Sequence, residues 1–140
     1  MSARGLRAAL TVLGVVALMF GSLSVVMGAA IVPGSDEAAA SVDSELRFYA
    51  AWYAAAGVVL LRTARRAETE GSTIRFIAGV FFIAGCARVM SLIVVGKPHL
   101  LFVFLMAAEL LIPALVVPWQ ASVVRRSHRR VNESESGEAT

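Results

Sequence analysis

The sequence predicts an all-α fold, an up-and-down four-helix transmembrane bundle with both termini on the cytoplasmic side (N-in/C-in). Three observations carry this reading. Hydrophobic residues make up 58% of the 140 and charged residues only 16%, with a mean hydropathy of +0.74, whereas soluble domains carry nearer a quarter of charged residues. The charges are also segregated: residues 8–32, 48–61, 76–95 and 100–124 hold almost none apart from Arg88 and Glu109, and three of these runs reach the roughly 20 residues that cross a bilayer. Finally, Arg4 and Arg7 precede the first run, Arg62, Arg65 and Arg66 follow the second, and Arg125, Arg126, Arg129 and Arg130 follow the fourth. The other two loops carry Asp36, Glu37, Asp43, Glu45, Lys97 and His99. The positive-inside rule therefore sets the orientation of an expected multi-pass membrane protein, with both termini and the central loop in the cytoplasm.

The chain reads as one membrane domain over residues 1–124, with helices at 8–32, 45–61, 74–95 and 100–124, and a basic-then-acidic tail over 125–140. Helix one carries Gly14, Ala17, Gly21, Ser24 and Gly28 at spacings of three and four, which places them on one face. Helices in lipid associate where small residues let backbones approach, so this face docks on the bundle or on a second copy. Its apolar run of about 25 residues exceeds the roughly 7–15 of a signal peptide, so the segment is expected to be retained. Helix two follows an acidic loop, with Asp43 or Ser44 as the expected cap, and spans only if Glu45 and Arg47 lie among the headgroups. Tyr49, Trp52 and Tyr53 near its outer end suit a membrane aromatic belt or the wall of a pocket. Helix three is expected to be capped by Ser72 or Thr73. The tail from Asn132 has nothing to bury and is expected to be disordered.

Helices three and four are joined by the short turn Gly96-Lys97-Pro98-His99, which makes them antiparallel neighbours. At about 1.5 Å per residue, Arg88 and Glu109 both lie roughly 13–17 Å from that turn. Charges at such depth are costly and mark a site. Arginine suits a buried carboxylate partner because its planar fork stays charged. Pro113 lacks an N–H, so the carbonyl four residues earlier, that of Glu109, loses its helical partner and needs another donor. Arg88, Glu109 and Pro113 thus form one expected polar cluster. Glu45, Arg47, Tyr49 and Trp52 are candidates for its outer mouth.

Three uses of this cluster stay open: a clamp between two helices, a site for a lipid or small apolar ligand, and a proton relay. No catalytic set is visible. Ser91 lies one turn from Arg88, but no histidine within the bilayer could activate it. His99 and His128 fall on opposite sides of the membrane, no Cys/His cluster has metal spacing, and the lone Cys86 lies within an apolar run, so neither a metal nor any other cofactor is expected. The pI near 9.8 reports topology and contact with membrane lipids rather than a nucleic-acid partner. The basic clusters at 62–66 and 125–130 would attract anionic lipid at about 1 kcal/mol per residue.

The segment Glu45-Leu46-Arg47-Phe48-Tyr49, leading into Trp52-Tyr53, resembles the second-helix signature of a family of small bacterial four-span proteins. So do Gly85 and Ala87-Arg88, the Gly96-Lys97-Pro98 turn, and Glu109. That family is domain of unknown function 4345, and the resemblance covers residues 8–120. It implies a four-helix inner-membrane protein and brings no activity. A looser similarity to DoxX-type membrane proteins rests on architecture and transfers no role. The expected function is that of a non-enzymatic accessory or scaffold protein, with a lipid or small-ligand site near Arg88 and Glu109. The alternative is a small proton-coupled carrier using Glu109, which four spans would support only in a homo-oligomer or larger membrane complex.

Overall fold

The structure, a computed structural model, describes residues 2–35 and 38–138, with side chains as far as Arg126. The acidic pair Asp36 and Glu37 and the side chains of His128, Arg129 and Arg130 lie outside that description. Helix α1 runs Ala3–Met27, α2 Ala40–Ala64, α3 Gly71–Val94 and α4 Leu100–Glu138, with a 3-10 turn at Gly28–Ile31. Three stretches are long and apolar enough to cross a membrane: Ala3–Ile31, Gly71–Val94 and Leu100–Arg126. Helix α2, at 25 residues, has the length but carries Asp43, Glu45, Arg47 and Arg62 within it.

The helix boundaries depart from the sequence reading for identifiable reasons. Helix α1 starts earlier because the Ser2 hydroxyl accepts the Gly5 N–H. It ends at Met27, not 32, because Gly28 takes a φ of 58° that other residues reach only under strain. A side chain at Gly28 would also strike the Asp43 carboxylate and the Arg47 guanidinium. Helix α2 begins at Ala40, so neither Asp43 nor Ser44 caps it; its cap position, Ala39, makes no side-chain bond. Helix α3 begins at Gly71, which puts Ser72 and Thr73 inside its first turn rather than at its cap. Helix α4 passes through Pro113 and Pro118 and continues to Glu138, where the sequence reading ended the helix at 124 and expected an unstructured tail. No glycine or proline interrupts residues 119–136, and the arginines and glutamates there propagate a helix readily.

Two hairpins make up the fold. Helices α1 and α2 pack along their length, as do α3 and α4, while contacts between the hairpins are sparse. The small-residue face of α1 is the seam of the first hairpin, where backbones meet without intervening side chains. A Cβ on Gly21 would stand 2.5 Å from the Ala54 nitrogen, and one on Gly57 would stand 2.5 Å from the Leu18 nitrogen. In the second hairpin, Gly85 instead makes room for the side chains of Leu110 and Glu109.

The hairpins join at one end. The core cluster of Leu6, Leu10, Leu60, Ile74, Val116 and Val123 sits where α1 begins, α2 ends, α3 begins and α4 nears its basic segment. An Arg7–Glu68 ion pair at 3.2 Å ties α1 to the α2–α3 connection at the same place. We call this the basic end. Toward the opposite end the α3–α4 hairpin is uncovered: Met90, Ile93, Val94, Val95 and Phe104 are all exposed. Firm contact at one end and sparse contact beyond it leave space between the hairpins, and the expected polar residues lie there.

Candidate functional site: an ion pair between two apolar cavities

The antiparallel α3–α4 hairpin brings Arg88 and Glu109 together, with Arg88 Nε donating to Glu109 Oε2 at 2.7 Å. Side chains lean toward the N-terminus of their own helix. On antiparallel helices, Arg88 therefore leans toward the basic end and Glu109 leans away from it, so the two close on each other. Gly85, one turn before Arg88, lets α4 approach: a Cβ there would lie 3.2 Å from the Glu109 Cβ. The partners are unequally buried. The Glu109 side chain is 5% exposed and that of Arg88 37%. The guanidinium also lies 5.7 Å from the centre of the Phe102 ring, where a cation is attracted by the ring face.

The pair is simpler than the expected three-part cluster. Arg88 meets the carboxylate, and among the described residues the Glu109 carbonyl freed by Pro113 receives no bond from it. Pro113 is buried and contributes instead to the wall of the adjoining cavity.

Two cavities flank the pair. The one nearer the basic end, about 150 Å³, is walled by all four helices, among them Leu13, Leu60, Ala78 and Ile112. Its polar contributors are Glu109 and Tyr53 in an otherwise apolar lining. The other, about 210 Å³, lies toward the opposite end and is walled by Phe20, Ser24, Tyr49, Arg88 and Phe102 among others. Tyr53 and Leu105 line both. The acid thus faces one cavity and the base the other.

Tyr53, which the sequence leaves open between an aromatic belt and a pocket wall, lines both cavities. It is half-buried and packs on Phe81 with ring centres 5.4 Å apart. A signal was present: Ala50, Gly57 and Leu60 are buried at helical spacing on α2, and Tyr53 lies on that stripe. Its neighbours behave as belt aromatics. Phe48, Tyr49 and Trp52 are 55%, 64% and 67% exposed and meet edge to face. Of the four outer-mouth candidates, Tyr49 alone lines either of these two cavities. Glu45 is exposed.

Arg47 lines neither of the two cavities and is engaged in a contact between helices. Its Nη1 donates to the Val25 and Val26 carbonyls at 2.7 and 2.9 Å, satisfying acceptors left over at the end of α1. Its Nε donates to Asp43 at 2.7 Å, and the other Asp43 oxygen accepts the Ala29 N–H at 2.7 Å. Asp43 and Arg47 therefore latch the α1 terminus onto α2. The Arg47 hydrogen bond, followed by the Ala29 N–H, holds the Asp43 carboxyl below its ordinary value. His99 Nδ1 accepts the Leu101 N–H at the start of α4, a local structural contact. Among the described residues no group of three His, Cys, Asp or Glu side chains converges as a metal site would require.

Neither a curated protein nor a solved structure matches the chain. A family model does: Domain of unknown function (DUF4345), over residues 5–120. That match takes in all the residues of the ion pair, both cavities and the α1–α2 latch, and most of the helical bundle. The chain belongs to the DUF4345 family.

Proposed function

We propose that this protein is a multi-pass accessory protein of the bacterial inner membrane that holds a small amphipathic molecule in the cavity beside Glu109. One observation carries the reading: a carboxylate 5% exposed sits in an otherwise apolar cavity wall with only one of its oxygens engaged. Arg88 takes Oε2. No hydrogen bond to Oε1 exists among the described residues, and an ionised carboxylate can accept at both oxygens. The ligand this favours has an apolar body and one donor, a hydroxyl or an amine. A cavity of about 150 Å³ accommodates a group of roughly benzene size, or a short alkyl segment. The orientation proposed has the basic end in the cytoplasm, because arginines concentrate there.

The test is labelling of the purified full chain in detergent with octanol carrying a diazirine. Saturable labelling of α3 and α4 around Ala78 and Ile112, competed by plain octanol and lost in Ala108→Trp or Ala78→Leu, is the expected outcome. Labelling confined to outward residues such as Phe76 and Leu111, unchanged in either variant, would overturn the reading.

A further inference from the structure

At the basic end, a third cavity of about 620 Å³ opens between the start of α3 and the later part of α4. Its wall includes Gly71, Ser72, Arg75, Gln120 and Arg125, together with Glu68. We propose that it is a binding site for a phosphate-class anion, of the kind carried by an anionic lipid headgroup.

Three observations converge. Helix α3 is 24 residues long and starts here, and its N-cap residue Glu70 makes no side-chain cap bond. The first N–H groups of a helix point outward without partners and favour an anion. Gln120 is 2% exposed, yet its amide makes no hydrogen bond to the described residues and faces this cavity. The amide borders the open cavity, where a ligand bearing oxygen acceptors can take its N–H groups. The donors also point to one place. Gln120 Nε2 and Arg75 Nη1 stand 2.5 and 3.1 Å from the position a Cβ would occupy on Gly71. Two groups that only donate at those atoms, gathered over a residue without a side chain, form a cradle for oxygen acceptors.

The neighbouring acids do not cancel this. Glu68 is paired with Arg7 at 3.2 Å, and Glu70, whose Oε2 accepts the Thr73 hydroxyl at 3.0 Å, does not line the cavity. Arg75 and Arg125 then provide the positive charge at the cavity. Arginine matches phosphate geometry through two parallel N–H bonds. The surrounding arginines, Arg4, Arg62, Arg65 and Arg66, place the cavity at the level where anionic headgroups of the membrane lie. A lipid is therefore the favoured carrier of the phosphate. This site is separate from the cavity beside Glu109 and does not depend on it.

The experiment is titration of the full chain in detergent with phosphatidylglycerol, phosphatidylcholine and inorganic phosphate, followed by native mass spectrometry. Arg75 is exposed, so Arg75→Gln tests the charge without disturbing the core; Gly71→Ala tests the cradle, with helix content checked by circular dichroism. Arg66→Gln is the control for general surface charge. The expected result is phosphatidylglycerol bound in preference to phosphatidylcholine, with affinity reduced about tenfold or more by Arg75→Gln and by Gly71→Ala, and little changed by Arg66→Gln. Inorganic phosphate binding with the same dependence on Arg75, without lipid preference, supports the anion site and assigns it to a soluble phosphate. Equal losses from Arg75→Gln and Arg66→Gln, or no loss from Arg75→Gln with either anion, would overturn the proposal.

Discussion

A carboxylate closed into an apolar wall and the guanidinium that holds it do not have equal freedom to recover from separation. Glu109 is 5% exposed, while Arg88 is 37% exposed and borders a second cavity. Removing Arg88 leaves a charge in the wall with no partner, and breaking a buried pair in this way costs about 3–5 kcal/mol. Removing Glu109 costs less, because the partly exposed arginine can turn into the larger cavity and its long stem can carry the charge outward. Thermal or denaturant unfolding in detergent is expected to rank Arg88→Met as the more damaging variant, Glu109→Leu as the milder, and the double variant as better than Arg88→Met alone. Additive losses in that cycle would contradict the pairing. The pair itself was legible in the sequence: two charges in apolar runs on either side of a short turn have few other ways to be satisfied. The third member of the expected cluster was not. Pro113 removes a helical donor, but whether the freed carbonyl meets Arg88 depends on side-chain reach across the hairpin, which spacing alone does not determine. Arg47 illustrates the same limit, since its acceptors lie at Val25 and Val26, in another helix.

Each hairpin is held by a different element-scale device. In α1–α2 the backbones touch through Gly14, Gly21 and Gly57, and the Asp43–Arg47 latch secures the end of α1. A Cβ at Gly21 would meet backbone atoms of Ala54, and backbone cannot rotate away as a side chain can. Gly21→Val is therefore expected to part the two helices and to destabilise the protein by about 1–3 kcal/mol, read as a lower melting temperature in detergent. Gly79→Val, where a Cβ would meet nothing within 4 Å, is the matched control and is expected to change little. The small-residue stripe was readable at three-and-four spacing. Its partner was not, because a stripe on α1 fits α2 and a second copy equally well until the facing Gly57 and Ala54 are seen. Helix ends were the least readable elements. Gly28 ends α1 by its backbone conformation, and the cap expected at Asp43 was pre-empted by a longer-range bond to Ala29.

Across the whole molecule, the helix number, the hairpin order and the segregation of charge followed from hydropathy and the arginine distribution. The cavities did not, since they arise from how two hairpins meet. Close packing at the basic end and loose contact toward the other leave an apolar space with a carboxylate in its wall. Tyr53 stays undecided between belt and pocket wall in the sequence for the same reason: its inward direction shows only when the buried face of α2 is known. The central claim is that this space holds an amphipathic molecule beside Glu109. Its most direct measurement is native mass spectrometry of the protein ejected straight from membrane vesicles, comparing the wild-type chain with Ala108→Trp. A small amphipathic adduct is expected on the wild type and missing from the filled variant; a bare wild-type mass, or the same adduct on both proteins, would contradict this function.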